Sequence, residues 1–402
     1  MKNFSKWAFV LTMILALVAM VTVACGSDND DEDKTIQPTA EVKEPYKIGA
    51  VFAVTGNNSP LGTPEKQTAE MLESQINAAG GINGHPLKVI IYDTESDATK
   101  CVTLVNKLIE QDNVLAVIGP SSTGESMALL DTMNTAKTPL ISCAAGITIV
   151  TPVTDKKWVF KTPQSDALAV KELYEYIKAK GLQKIALITD TGGFGAGGKK
   201  ILEAEAPNYG MSIVANQTFG TTDTDMTSQV TQIAGTDAQA IICWGTNPGP
   251  AIIAKNAADL KVKIPLFFSH GIANMKFIEL GGTAVNGAIF PAGKLLVANQ
   301  LPASDPQKSL LEKYKADFES KYGSGTANTF GGHAYDALMM VTAALKAKGA
   351  DKAGIRDYIE NNITNWPGTG GVFNMSPQDH NGLAKGSFVM IKIVDGKWTW
   401  LK

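Results

Sequence analysis

Residues 47–56, Lys-Ile-Gly-Ala-Val-Phe-Ala-Val-Thr-Gly, contain an uninterrupted apolar run that ends at a glycine. A continuous run, as opposed to an alternation of apolar and polar residues, predicts a β-strand that is covered on both faces. Further runs rich in Ile, Val and Leu occupy residues 87–93, 114–119 and 139–142. Helical spacing fills the gaps between the runs, at residues 64–77, 98–111 and 125–135. Strands that alternate with helices in this way predict a parallel α/β sheet.

The same alternation begins again in the middle of the chain. The predicted strands of this second run are residues 184–189, 211–219, 239–244 and 265–269, and the predicted helices are 167–180, 195–209, 227–234 and 249–260. A chain of 402 residues is too long for one ordinary core and suits two domains. Residues 158–163 are a candidate crossover between them. The strand and helices after residue 286 are too few for a third domain, so we expect them to complete the first two.

The first 24 residues are expected to be a secretory signal peptide. Two lysines precede an apolar run of 16 residues, 8–23, which is short for the ~20 residues that a membrane-spanning helix needs. The run leads into Thr-Val-Ala-Cys at residues 22–25, which resembles a bacterial lipobox, although leucine is more usual than threonine there. We expect lipidation of Cys25, with ordinary cleavage before it as the alternative. The acidic, proline-containing residues 25–45 are expected to form a solvated tether.

The composition excludes several functional classes. Apolar residues make up 44% of the chain and charged residues 19%, which is typical of a globular protein. With 36 basic and 39 acidic residues the formal charge is −3, so no basic excess exists to bind nucleic acid. Arg356 is the only arginine, which limits guanidinium clamps on anions. If Cys25 carries lipid, an odd number of cysteines remains (Cys101, Cys143 and Cys243), and buried free thiols are the simplest expectation.

The residues that follow the predicted strands are the ones expected to bind a ligand, because open parallel sheets bind ligands beyond the carboxyl ends of their strands. These loops are residues 54–57, 119–124, 142–146, 190–195, 245–250 and 269–271. They are small, hydroxylated or aromatic, and they lack a nucleophile, base and orienting group together. We therefore expect a binding protein without enzyme activity, cofactor or metal. Residues 193–200 resemble a phosphate-binding loop, but Lys200 stands where serine or threonine is needed.

Several motifs resemble those of the leucine/isoleucine/valine-binding protein family. They are residues 48–56, 76–84, 92–93, 117–123, 139–142 and 332–336, which occur in the family's order. The resemblance covers residues 46–402. It implies the type I periplasmic-binding-protein fold, with two Rossmann-like α/β lobes joined by three crossovers.

The resemblance also implies where the lobes begin and end. The crossovers are expected near residues 162–163, 290–291 and 374–375. The first lobe would then contain residues 46–162 plus 291–374, and the second lobe residues 163–290 plus 375–402. The ligand would bind between the lobes, which close on it.

Part of the family's amino-acid site matches the first lobe of this chain. A serine that holds the α-carboxylate of branched-chain amino acids matches Ser122, with Ser121 beside it. A carbonyl and a threonine that follow the fourth strand match Ala144 and Gly146. Because Gly146 has no hydroxyl, only its backbone N–H would remain for the ligand.

The other positions of the site are aromatic, apolar or altered in this chain. Aromatic positions of the family match Phe194 and Phe330, a third falls near Asn247, and Leu61 is a further candidate contact. The glutamate that holds the α-ammonium falls on His270. Phe194 and Phe330 could enclose a flat ligand between them, or they could pack at the hinge instead.

The change to His270 bears most on the choice of ligand. A buried ammonium group needs an anionic partner, and histidine is never anionic. In the cleft loops Asp190 is the remaining carboxylate that the sequence offers. We therefore expect a small carboxylate without an amine, with an aromatic acid favoured.

As the resemblance implies, the protein would be the extracytoplasmic solute-binding component of an ABC importer. Its partners would be the permease and the ATPase, and it would meet the membrane through its lipid only. Two alternatives remain open. The protein could be an amino-acid receptor with a relocated amine partner, or a sensor ectodomain of the same fold.

Overall fold

Five parallel strands form the first sheet of the computed structural model, which describes residues 43–402. They are β1 (Tyr46–Phe52), β2 (Leu87–Asp93), β3 (Val117–Ile118), β4 (Leu140–Ser142) and β5 (Val159–Lys161). Their order across the sheet is β2-β1-β3-β4-β5, and all four pairings are parallel. The predicted signal peptide and the predicted lipid anchor at Cys25 lie outside the described residues.

Seven strands form the second sheet, and a short hairpin stands apart from it. The strands are β6 (Lys184–Asp190), β7 (Ser212–Phe219), β8 (Ala240–Trp244), β9 (Leu266–Phe268), β10 (Ile289–Gly293), the hairpin strands β11 (Trp366–Pro367) and β12 (Val372–Phe373), then β13 (Phe388–Val394) and β14 (Lys397–Trp400). The sheet order is β14-β13-β10-β9-β8-β6-β7. Strands β6 to β10 are parallel, whereas β13 and β14 add an antiparallel edge.

Eleven helices surround the sheets within the described residues. They are α1 (Ser59–Ala78), α2 (Ala98–Glu110), α3 (Thr123–Ala136), α4 (Asp166–Ala179), α5 (Gly193–Glu205), α6 (Thr227–Ala234), α7 (Gly249–Asp259), α8 (Met275–Gly281), α9 (Lys308–Tyr322), α10 (Thr329–Lys348) and α11 (Lys352–Asn362). The predicted parallel α/β architecture is confirmed. Helix α1 begins at Ser59, five residues before the predicted start at residue 64. Pro60 lies in its first turn, where a proline is compatible with a helix.

The first sheet is covered on both faces, as the uninterrupted apolar run of β1 predicts. Ile48, Ala50 and Phe52 pack into the core shared with α1 and α10. Val51 packs into a separate core with side chains of α2 and α3. Since successive residues of a strand point to opposite faces, both sets must be apolar. The second sheet divides its side chains between two cores in the same way.

The chain passes between the two halves of the fold three times, after β5, after β10 and after β12. The predicted fold class, with two α/β halves and three crossovers, is confirmed. Strand β10 continues to Gly293, three residues beyond the expected crossover at residues 290–291, and the exact division into lobes stays a prediction. Side chains connect the crossing segments. Gln164 Nε2 donates to Gly370 O at 2.6 Å, and Asn381 Nδ2 donates to Pro163 O at 2.9 Å.

Cys101, Cys143 and Cys243 are free and buried, as the sequence predicts. Burial raises the pKa of each thiol above its ordinary value. Because the thiolate is the reactive form, these cysteines act as small apolar side chains in the folded protein.

Asp336, on α10, connects this helix to the loop beside the crossings. Its carboxylate is fully buried and accepts hydrogen bonds from Thr369 N–H at 2.7 Å, from Thr369 Oγ1 at 2.9 Å and from Gly370 N–H at 2.8 Å. The loop approaches so closely that a Cβ atom at Gly368 would lie 2.7 Å from Asp336 Oδ1. One buried side chain thus holds a loop whose Gly370 carbonyl also binds Gln164.

Asp336→Ala should therefore lower the free energy of unfolding by about 3 kcal/mol or more, because three buried donors lose their acceptor. Asp336→Asn should cost less, since its amide oxygen still accepts. Urea unfolding measures both changes. The exposed Asp259→Ala is the control and should stay within about 0.5 kcal/mol of the wild type. Equal losses in Asp336→Ala and Asp259→Ala would contradict this role for Asp336.

Candidate ligand-binding site

A cavity of about 240 Å³ lies between the carboxyl ends of the strands of the two sheets. Loops after β1, β3 and β4 form one wall, and loops after β6, β8 and β9 form the other, which is where parallel sheets place their ligands. Eight of the nine residues proposed from the sequence line this cavity. They are Leu61, Ser121, Ser122, Ala144, Phe194, Asn247, His270 and Phe330. Their roles in binding a ligand stay predictions.

Gly146, the ninth proposed residue, lies behind the cavity wall. Its backbone N–H, which was expected to bind the ligand, donates to Thr123 Oγ1 at 3.2 Å. A Cβ atom at Gly146 would lie 2.5 Å from Thr123 Cγ2, so the threonine fills the space that a side chain at position 146 would need. Thr123, which lies in a predicted loop but is not one of the nine proposed residues, lines the cavity in place of Gly146.

The N-termini of α3 and α5 meet at the cavity wall. A Cβ atom on Gly193 would lie 2.9 Å from the backbone nitrogen of Gly124. The N–H groups of Thr123 and Gly124 on α3, and of Gly193 and Phe194 on α5, have no protein partner within residues 43–402. Unpaired N–H groups and the positive ends of two helix dipoles favour an anion at this end of the cavity.

Ser122 is the N-cap of α3, and it shares a capping box with Glu125. Ser122 Oγ accepts from Glu125 N–H at 3.3 Å and donates to Glu125 Oε2 at 2.5 Å. Ser122 N–H also donates to Glu125 Oε2, at 3.2 Å. The hydroxyl that the resemblance assigns to the ligand's carboxylate is thus already used within the helix cap.

Glu125 corrects the expectation that Asp190 is the remaining carboxylate of the cleft. It lines the cavity and accepts a further hydrogen bond from Thr94 Oγ1. Burial raises its pKa, while the hydrogen bonds from Ser122 and Thr94 act in the opposite direction. The spacing Ser122-Thr-Gly-Glu125 fits the Ser-x-x-Glu capping box, so the sequence did contain a signal for this contact.

Asp190 closes β6 and caps α5. Its Oδ1 accepts from Gly192 N–H at 2.8 Å and from Gly195 N–H at 3.2 Å. Burial raises the pKa of Asp190 to about 6, despite the hydrogen bonds from the backbone. Each of the two acids on the cavity wall therefore caps one of these two helices.

His270 lies in an aromatic environment at the other side of the cavity. The ring centres of Phe194 and Phe388 are 5.3 Å from its imidazole, and that of Trp244 is 5.9 Å away. Neither ring nitrogen has a hydrogen-bond partner among the described residues. Burial, reinforced by the charge of Lys161, lowers the pKa of His270 to about 3. His270 therefore carries no charge near neutral pH and adds no electrostatic attraction for an anion.

Phe194 and Phe330 both line the cavity, and the expected enclosure of a flat ligand between them stays a prediction. Phe194 packs against Trp244 with ring centres 5.7 Å apart, and Phe330 lies near His333 at the start of α10. Burial also lowers the pKa of His333, to about 3. Asn57 and Thr123 line the cavity within the predicted loops. Further lining residues lie outside those loops and were missed by sequence reasoning, namely Asn58, Glu125, Phe219, Thr221 and His333.

Two side-chain contacts join the walls at the mouth of the cavity. Asn274 Nδ2, after β9, donates to Pro60 O on α1 at 2.9 Å. Thr246 Oγ1, after β8, donates to Asn58 Oδ1 at 3.4 Å. Both contacts connect loops of the second sheet to the start of α1, so they join the two walls of the cavity.

A cavity between two α/β halves that three crossovers connect is the architecture of a two-lobed receptor for a small solute. The chain belongs to the periplasmic binding protein family, whose sequence profile matches residues 45–397. The resemblance to leucine/isoleucine/valine-binding proteins is thereby confirmed. The family contains solute-binding receptors, not enzymes, and implies an extracytoplasmic location. Among the helices of residues 43–402, none has the length and apolar content to cross a bilayer.

Three similar proteins illustrate this membership. The Leu/Ile/Val-binding protein homolog 3 of Brucella melitensis is 23% identical over 361 residues, which cover 87% of this chain and 92% of that protein. An extracellular ligand-binding receptor from Rhodopseudomonas palustris HaA2 is 29% identical, with a TM-score of 0.83 over 89% of this chain and 99% of that one. The branched-chain amino acid transporter substrate binding protein LivJ from Streptococcus pneumoniae, in complex with isoleucine, is 25% identical. Its TM-score is 0.79, with the same coverage of both chains.

We expect the His270 imidazole to stay neutral between about pH 8 and about pH 5, because its pKa of about 3 lies below this range. The ring signals of His270 in an NMR titration, assigned by comparison with His270→Gln, should not move in this interval. A titration midpoint inside it would mean that water reaches the ring and that its aromatic surroundings are open.

Asn274→Ala removes one of the two contacts across the cavity mouth, so a bound solute should leave faster. A net loss of about 1 kcal/mol for one hydrogen bond corresponds to an increase of about fivefold in the dissociation rate. Stopped-flow fluorescence measures that rate. The exposed Asn208→Ala serves as the matched control. An unchanged rate in Asn274→Ala would show that the contact does not hold the cavity closed.

Proposed function

We propose that this chain is the solute-binding protein of an ABC importer and that it captures a small carboxylate, preferably an aromatic acid, between its two lobes. A lipid on Cys25 would hold it at the outer face of a bacterial membrane. The observation that carries the choice of ligand is the pair of neighbouring helix N-termini, α3 and α5, with unpaired N–H groups on the cavity wall.

The anion would be held by backbone groups, since the sole arginine, Arg356, is remote from this cavity and bound to Glu360. Four N–H groups without a protein partner among the described residues, two on each helix, belong to residues that line the cavity. Hydrogen bonds to a charged group contribute about 1.5–3 kcal/mol each. Because α3 belongs to the first half and α5 to the second, an anion bound to both would favour closure.

The rest of the cavity suits an uncharged body. Phe194, Phe219 and Phe330 supply aromatic surface, and His270 stays neutral. An ammonium group would find no carboxylate without other hydrogen bonds, because Asp190 and Glu125 each cap a helix. A flat organic acid matches both ends of this cavity.

The alternative is an amino-acid receptor, and two observations favour it. Asp190 and Glu125 both line the cavity, and a carboxylate that caps a helix can still accept a bond from an ammonium group. The names of similar proteins also refer to leucine, isoleucine and valine. In this case Asp190 or Glu125 would take over the role that the family gives to the acid at position 270.

Calorimetry with two sets of solutes separates these possibilities. The wild type should bind benzoate or a hydroxylated benzoate, and it should not bind leucine, isoleucine or valine. Asp190→Asn keeps an oxygen for the cap of α5 and removes a negative charge, so its affinity for the acids should stay equal or rise. Micromolar binding of leucine by the wild type, lost about tenfold or more in Asp190→Asn, would establish the amino-acid receptor instead. The exposed Asp259→Asn controls for the change in net charge.

A further inference from the structure

A further buried acid, Glu65, lies on α1 behind the cavity wall. Its side chain is fully buried, and its Oε2 is hydrogen-bonded to Ser121 Oγ. Its other oxygen, Oε1, has no partner among the described residues. Ser121 itself lines the cavity beside Ser122. Glu65 thus reaches the ligand space through one hydroxyl group.

The proton of Ser121 has two possible destinations. A serine hydroxyl has one proton to donate and two lone pairs with which to accept. Ser121 Oγ already accepts from Ala53 N–H at 3.0 Å, which uses one lone pair. If Glu65 is ionised, the Ser121 proton must point to Glu65, and the hydroxyl offers no donor to the cavity. If Glu65 is a neutral acid, it donates to the second lone pair, and the Ser121 proton is free to face the ligand.

The surroundings of Glu65 favour the neutral acid. Burial raises the pKa of Glu65 well above its ordinary value, and the hydrogen bond from Ser121 opposes this only in part. The nearby charge that acts on it, Glu125, is also negative and raises the pKa further. Burying a carboxylate with one hydrogen bond costs much more free energy than burying a neutral acid in the same place.

We propose that Glu65 is a positioning residue that stays protonated, donates to Ser121 and thereby turns the Ser121 hydroxyl toward the carboxylate of the ligand. This inference rests on the proposed function in one respect, namely that the ligand carries an acceptor group. It assigns the anion's hydroxyl partner to Ser121, not to Ser122. Ser122 donates both its N–H and its hydroxyl to Glu125, which therefore acts as an acceptor there.

Infrared difference spectroscopy tests the protonation of Glu65 without any ligand. The spectrum of the wild type minus that of Glu65→Gln should contain the C=O stretch of a protonated carboxylic acid near neutral pH. The absence of this band would show an ionised Glu65 and would overturn the inference, while leaving the proposed function intact.

Calorimetry with benzoate tests the coupling to the ligand. Glu65→Gln retains an N–H donor for Ser121, so its affinity should lie within about threefold of the wild type. Glu65→Met cannot donate, and its affinity should fall about threefold to tenfold, as expected for one oriented hydrogen bond. An ionised Glu65 would give the opposite sign, because both variants would then remove a repelling charge and bind benzoate more tightly. Tighter binding in either variant would overturn the inference.

A double-mutant cycle separates this role from simple packing. In a Ser121→Ala background, Glu65→Met should cause no further loss of affinity, since the hydroxyl that Glu65 orients is gone. An equal loss in both backgrounds would mean that Glu65 only fills space, and it would overturn the proposal. If the wild type binds no carboxylate at all, the proposed function fails, and the infrared band alone then decides whether Glu65 is the protonated donor to Ser121.

Discussion

The parallel direction of the strands is the constraint on which the rest of this structure depends. It places the carboxyl ends of β1, β3 and β4 on one edge of the first sheet, and those of β6, β8 and β9 on one edge of the second. Each strand-end loop leads into a helix whose first N–H groups need partners. Where the two edges meet, the molecule therefore concentrates backbone N–H donors that have no protein partner among the described residues.

Two acids of the cavity wall are hydrogen-bonded to the N-termini of these helices. Glu125 and Asp190 each satisfy part of a helix N-terminus, and each remains on the cavity wall. Their negative charge is offset by backbone donors, so the wall stays polar but weakly charged. A solute would then be selected by the direction of hydrogen bonds and by aromatic surface more than by net charge.

Much of the fold could be predicted because the buried strands are continuous apolar runs; β2 was located to the residue. Strand β5 was assigned to a crossover, since it has only three residues and ends in the buried Lys161. The cavity-lining positions came from the family resemblance. Glu65 could not have been found that way, because its contact with Ser121 joins residues 56 positions apart and no motif connects them.

The buried thiol of Cys143 forms part of the cavity wall. A reagent that reaches that sulfur from the cavity must enter the space meant for the solute. A solute in that space would therefore also cover the sulfur. For a protein that works outside the cytoplasm, where unpaired thiols meet oxidants, filling of the cavity would then protect this cysteine as well.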